Sequence, residues 1–330
     1  MEEKLEDIYF AYKDFPISLK EVGKSSKNPI IQEFNSIYEE LNLKYSFSKL
    51  SSLSDNFFGE SPIYLHYKEQ KMTLTDFVSE NNEMAKELIL LPGIAGLEVQ
   101  HTFNLLIQQI ESKKIQEDSV AICIETFRLL QDLYNTFAMA RYSLLQGYQK
   151  IHSYNIIKWD SGTYGQYWIR AINVNNSIVW YNSCFDILLQ TLWIGKKYFL
   201  QNSKSNFIDI YNLKQYETIL HKCRLEVFPE NSDKKILKDF METEPFKGLR
   251  SKANALKHRH SLRYYELSPK NLIAFLSADD KGYSSTKTLS FFSIDDTIID
   301  LIKFHKIFIP LVVEIKKILA QEFLKYGISI

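Results

Sequence analysis

The chain has 330 residues, 45% of them hydrophobic and 14% aromatic, with only 11 Gly and 8 Pro. That is enough apolar side chain to bury a large core and too little turn-forming residue for a disordered or low-complexity polymer, so long regular elements are expected. Forty Lys and Arg against forty Asp and Glu leave no net charge, which excludes a chain that is basic throughout and confines any nucleic-acid contact to a local patch.

The charge is unevenly spread. Residues 1–100 hold 10 basic against 17 acidic side chains, and the remainder 30 against 23, so a basic surplus lies late in the chain. Cys123, Cys184 and Cys223 are odd in number and far apart, which builds neither a disulfide framework nor a CxxC site and fits a reducing cytoplasm. The opening MEEKLEDIYF is acidic and does not read as a signal peptide. FHKIFIPLVVEIKKIL is broken by Lys306, Glu314, Lys316 and Lys317, too short an apolar run for a membrane span. His66, His101, His152, His221 and His305 are scattered without metal-ligand spacing, and GKSSK at 23–27 lacks the first glycine of a phosphate loop, so neither a metal nor a cofactor is expected.

In chain order, residues 1–88 read as a mixed, irregular N-terminal region with one helical pattern, IIQEFNSIYEELN. Residues 89–330 read as a helical domain. Val99, Phe103, Leu106, Ile107 and Ile110 fall at helical spacing, and a longer helix through Leu133, Phe137, Ala140, Leu144 and Tyr148 should stop at WDSG, residues 159–162, and pack antiparallel to the first. From Tyr167 no Pro or Gly interrupts the chain until Gly195, so a buried helix is expected there, with Asn175, Asn182 and Asp186 near one face. Its tryptophans, Trp168, Trp180 and Trp193, are expected in the core rather than as stacking platforms for bases. Asn231 or Ser232 should cap the next helix, and Pro245 suits the first turn of the one after it. SPKNLIAFLSADDKGYSSTKTLSFFSI then reads as a β-hairpin, followed by a C-terminal helix with a kink at Pro310. The fold class is mainly α, with small β additions.

The segment LRSKANALKHRHSLRY, residues 249–264, has five Lys or Arg, two His, one Asn and no acid. On a helix from Pro245 to about Ser261, Leu249, Ala253, Leu256 and His260 form the stripe facing the core, while Arg250, Asn254 and His258 step by four along a neighbouring stripe. Lys257 and Arg259 flank them. Cations neutralise phosphate, an amide fixes its orientation, and a histidine titrating near neutrality can move a proton during attack by a ribose 2′-hydroxyl. NALKHR within a helical bundle, preceded by a long helix with Asn182 and Asp186, resembles the HEPN superfamily, whose signature on a late helix is an Arg, a polar residue that is often Asn, then a His.

That resemblance implies a HEPN-like bundle, a homodimer that brings two such helices together, and RNA binding with metal-independent endoribonuclease activity of a defence or toxin type. His258 would be the proton-transfer group, Asn254 would orient the phosphate, Asp186 would support His258, and Arg250, Lys257 and Arg259 would neutralise charge. Where the family pattern has its arginine this chain has Ala253, so an Ala253→Arg exchange should raise cleavage if the rest of the site is intact. The alternative is a non-catalytic helical interaction module in which the basic residues only complement a helix C-terminus.

Overall fold

The computed structural model describes residues 7–44, 63–92, 117–152, 162–202, 216–221, 223–258, 262–267, 277–279, 282–284 and 291–328, with a few isolated residues between 104 and 111. The molecule is mainly helical with a small four-stranded antiparallel sheet. It divides into two compact units, neither continuous in sequence: the first comprises Met1–Ile89, Ser143–Asn175 and Leu262–Ile298, the second Leu90–Tyr142, Asn176–Ser261 and Ile299–Ile330.

The sheet belongs to the first unit. Strands β1 (Ile8–Tyr12), β2 (Phe15–Ser18), β3 (Tyr64–Tyr67) and β4 (Gln70–Thr73) lie in the order β2-β1-β3-β4. Lys13 and Asp14 both take positive φ, 51° and 58°, which gives the β1–β2 hairpin a two-residue turn whose twist matches that of the strands. Ile8, Phe10, Ile17 and Leu65 are buried, and helix α1 (Pro29–Lys44) covers them, with Phe34 5.3 Å from Phe10 between ring centres. Helix α2 (Leu74–Glu87) leaves β4 directly through a capping box: the Asp76 amide donates to Thr73 Oγ1 at 3.0 Å, and the Thr73 amide donates to Asp76 Oδ2 at 3.1 Å.

The largest fully buried side chain is Arg170, in the long helix α4 (Gly162–Gly195). Its Nε donates at 2.9 Å to the carbonyl of Gly147, in the last turn of helix α3 (Glu117–Tyr148), where backbone acceptors have no partner within the helix. Its Nη2 reaches Asp295 Oδ1 at 2.7 Å, and its Nη1 donates to the Tyr67 hydroxyl. Tyr67 in turn donates to Asp295 Oδ2 at 2.9 Å, and Lys68 reaches the same oxygen at 2.7 Å. Asp295 stands in the first turn of helix α8 (Ile294–Leu324), where the helix dipole favours a carboxylate. Gly147 fits this junction because a Cβ there would lie 2.7 Å from Val174 Cγ2. Beside it, Lys150 donates to both Glu80 oxygens at 2.6 Å, and Tyr148 donates to the same carboxylate at 2.7 Å.

In the second unit the core is aromatic. Phe137 of α3 and Tyr181 of α4 meet edge to face at 5.7 Å, and His305 of α8 stacks on Phe137 with Nδ1 2.7 Å from the Tyr181 hydroxyl. After the short helix α5 (Tyr216–His221), helices α6 (Ser232–Met241) and α7 (Glu244–His258) add Phe240 and Phe246, which pack on Phe185 at 5.7 and 4.5 Å. Asn231 caps α6, its side chain accepting from the Lys234 amide at 3.0 Å.

Several expectations change. The N-terminal region is ordered by the sheet and by α2, neither of which its short apolar runs announced. Helix α3 ends at Tyr148, short of WDSG. The expected helix at 96–110 falls almost wholly outside the described residues, as does its packing on α3. The hairpin pairs strands β5 (Ser277–Asp279) and β6 (Gly282–Ser284), and Pro310 lies inside α8. Of the three tryptophans, Trp193 is buried but Trp168 and Trp180 are 49% and 38% exposed. Helix α4 is apolar almost all round, so periodicity did not tell which aromatic faced inward.

Asp295→Asn leaves the fully buried Arg170 without its carboxylate and should cost about 3–5 kcal/mol, while Arg170→Met, which leaves Asp295 paired with Lys68, should cost less. Hydrogen exchange of the β1–β4 amides reports it, and the Arg170→Met, Asp295→Asn double variant should be more stable than the sum of the single losses predicts. Simple additivity would show that the pair is uncoupled.

Acid should act on the same unit in two steps. Burial, and then the charge of Arg170, hold the His152 imidazole down to about 4 from 6.5. The unfolded chain therefore binds that proton first, and stability falls by on the order of 3 kcal/mol as pH drops from 6.5 to 4, then levels. Burial pushes the Asp295 carboxyl up, but Arg170 and Lys68 outweigh it and hold it at about 2 against an ordinary 3.8. Its contribution is complete above 3.8 and is lost as pH falls toward 2. Stability measured against pH should lose its upper step in His152→Gln and keep the lower one.

Candidate functional site

Helix α7 buries two of the four residues expected to face the core; Leu256 is only half-buried and His260 lies outside the described residues. Leu249 and Ala253 are buried at 3% and 0% exposure, so the opposite face of the helix is turned away from the core. Arg250 lies one position round from Leu249 and is 41% exposed at its side chain, while Asn254 and Lys257 are exposed. His258 is the last residue of the helix, and Arg259 lies outside the described residues, as does His260. The buried Ala253 is the position at which the family pattern places its arginine.

Arg250 is oriented from across the helix pair. Its Nη1 donates to Asn182 Oδ1 at 2.7 Å and to Asp186 Oδ1 at 3.1 Å, both on α4, and Asn182 Nδ2 reaches Asp186 Oδ2 at 3.4 Å. The offset of four between Asn182 and Asp186 puts them one turn apart on one face of α4. Asn182 is 1% exposed and therefore fixed by packing, while the Asp186 side chain is 38% exposed. Among the described residues Nε and Nη2 of Arg250 make no hydrogen bond. These two nitrogens form the side-on edge of the guanidinium, which matches a pair of phosphate or carboxylate oxygens.

Asp186 has Arg250 and Asn182 among its described partners, and its expected support of His258 falls on a side chain outside the description. Asn182 belongs to the site although sequence reasoning placed it only near the right face. The available signal was an amide one turn from a carboxylate in an otherwise apolar helix. Burial pushes the nearby Cys223 thiol well up, and the charge of Asp186 acts in the same direction, so this cysteine is protonated and a poor nucleophile at neutral pH. Lys252, also in the basic segment, is taken up by Asp300 at 2.9 Å.

The charges around one cavity in the second unit are paired with one another. This cavity, of about 370 Å³, is bordered by Lys196, Asp233, Glu322 and Lys325, with Lys196 3.0 Å from Glu322 and 3.8 Å from Asp233, and Lys325 2.7 Å from Glu322. Arg250, by contrast, is 41% exposed and keeps two nitrogens without a hydrogen bond among the described residues. Among the described residues no group of three or more His, Cys, Asp or Glu side chains is placed to hold a metal ion, and no helix is long and apolar enough to cross a membrane.

Because Ala253 is fully enclosed, Ala253→Arg should not build an arginine into the site. It should overpack the core and bury an unpaired charge, with a loss of at least about 3 kcal/mol. Thermal unfolding measures this, and a variant as stable as the parent with new RNA cleavage would show that the position can open toward the stripe.

No protein-family model, no curated protein and no solved structure matches this chain.

Proposed function

We propose that this chain binds RNA through the phosphate backbone, on the Arg250–Asn254–His258 stripe of α7, in the manner of a HEPN-like protein. The observation that carries the reading is the half-used guanidinium of Arg250. It is held by Asn182 and Asp186 through one nitrogen, the side chain is 41% exposed, and Nε and Nη2 make no hydrogen bond among the described residues. Asn254, one turn on, supplies an amide for a second phosphate contact, and Lys257, with Arg259, adds charge. His258, one further turn on, is the proton-transfer group of a metal-independent cleavage. It takes the proton of the ribose 2′-hydroxyl as that oxygen attacks the adjacent phosphorus; a 2′,3′-cyclic phosphate forms, the bond to the 5′-oxygen breaks, and the departing oxygen takes a proton from water. A homodimer that brings two α7 helices together would double the anion-binding surface.

A second reading has one observation in its favour. The residue at the family arginine position is buried, which fits a helical interaction module that has lost catalysis. The two readings separate on one set of assays: RNA binding and cleavage without divalent metal, at low and moderate salt, for the parent, Arg250→Ala and His258→Ala. We expect Arg250→Ala to weaken binding about tenfold or more, as loss of a bidentate charged contact should. His258→Ala should abolish cleavage while sparing most of the binding. Binding lost in the first variant with no cleavage in any of the three leaves the non-catalytic reading, and RNA binding indifferent to Arg250 removes the site altogether.

A further inference from the structure

Asp186 stays beside the arginine that a phosphate would use, and its effect depends on the charge of the ligand. Resting on the phosphate-binding reading above, we infer that Asp186 is a specificity-determining residue that selects singly charged, internal phosphodiesters over doubly charged terminal phosphates.

The geometry separates two jobs within the group that holds Arg250. Asn182, buried at 1% exposure and 2.7 Å from Nη1, orients the guanidinium without carrying charge. Asp186 duplicates that bond at 3.1 Å, and its carboxylate is 38% exposed, so it adds little rigidity but a full negative charge in view of the solvent. A phosphate seated on Nε and Nη2 would occupy the far edge of the same small cation. It would lie roughly 6 Å from the Asp186 oxygens, at which separation in a water-like dielectric each unit of ligand charge weakens binding about threefold. A phosphodiester bears one charge and loses about threefold. A terminal monoester bears close to two at pH 8 and loses about tenfold. Partial exclusion of water would widen both figures. An internal RNA phosphate is thus the anion that this arginine tolerates best beside its own counter-ion.

The test uses the full chain at low salt and pH 8, with displacement of a labelled oligouridylate by the dinucleoside monophosphate UpU and by 3′-UMP. Asp186→Asn keeps an oxygen to accept from Nη1 and removes the charge. Asn182→Ala removes the orienting bond and leaves the charge. We expect Asp186→Asn to strengthen UpU about threefold and 3′-UMP about tenfold, while Asn182→Ala weakens both by the same factor. Equal gains for the two ligands, or a loss for both in Asp186→Asn, overturn the inference while leaving Arg250 as a phosphate ligand. If Arg250→Ala in the same assay displaces no differently from the parent, the phosphate-binding reading itself fails, and the selectivity fails with it.

Discussion

A guanidinium taken wholly out of water is the constraint around which the first unit is arranged. Arg170 is 1% exposed, and an isolated buried cation would cost more than any single contact returns. Its acceptors come from chain segments far apart in sequence: a carbonyl in the last turn of α3, a hydroxyl on β3 and a carboxylate in the first turn of α8. Two of the three are features of helix ends, an unpaired carbonyl at a C-terminus and an acid at an N-terminus. The arginine therefore requires α3 to stop and α8 to start at this place. That requirement gives a physical reason for a compact unit assembled from three stretches of the chain, with the β3–β4 turn brought in through Tyr67 and Lys68.

The long helices were legible because their signals are long. A run without Pro or Gly up to Gly195 specifies α4, and Asn231 before an apolar periodic stretch specifies the start of α6. On α7 the burial of Leu249 and Ala253 follows from offsets alone. The sheet was not legible, since each strand has four or five residues, too few for an alternation to stand out, and the turn at Lys13–Asp14 adopts positive φ without the Asn-Gly or Asp-Gly pair that usually announces it. The capping box of α2 uses Asp76 where Glu or Gln is the commoner third residue, which hides the start of a short helix. Arg170 itself gave no sign. A charged residue in an apolar helix is readable as buried only once its partners are known, and those partners lie 103 and 125 residues away.

Two arginines in this chain make the same kind of contact with different consequences. Arg170 spends Nε, Nη1 and Nη2 on protein acceptors and is closed to solvent; Arg250 spends only Nη1 and is 41% exposed. Each has an aspartate beside it, so the presence of an acid does not distinguish a structural arginine from a binding one. What distinguishes them is which edge of the guanidinium remains. Sequence offsets located Arg250 on the same stripe as Asn254 and His258, but the identity of its anchor, Asn182 together with Asp186, follows only from the packing of Phe185 against Phe246, which sets α4 beside α7.

The same packing changes what the basic segment can do. Counted along the sequence, residues 249–264 are a block of positive charge, and a block would bind polyanions by releasing many counterions, with steep salt dependence. In the folded chain Lys252 is neutralised by Asp300 and Arg250 stands against Asp186, so the net field at α7 is weaker than the count implies. Attraction at a distance is therefore modest, and on the proposed phosphate-binding reading recognition would come from direction, that is, from two N–H groups of Arg250 meeting two oxygens at hydrogen-bond range. A site of that kind neutralises one or two phosphates rather than many, and its salt dependence is correspondingly shallow. On the inference drawn above, its selectivity would be set by the charge that a ligand brings near Asp186. On the proposed reading, the opposed pair on α4 and α7 makes Arg250, rather than a basic surplus of the chain as a whole, the feature that an anion would meet.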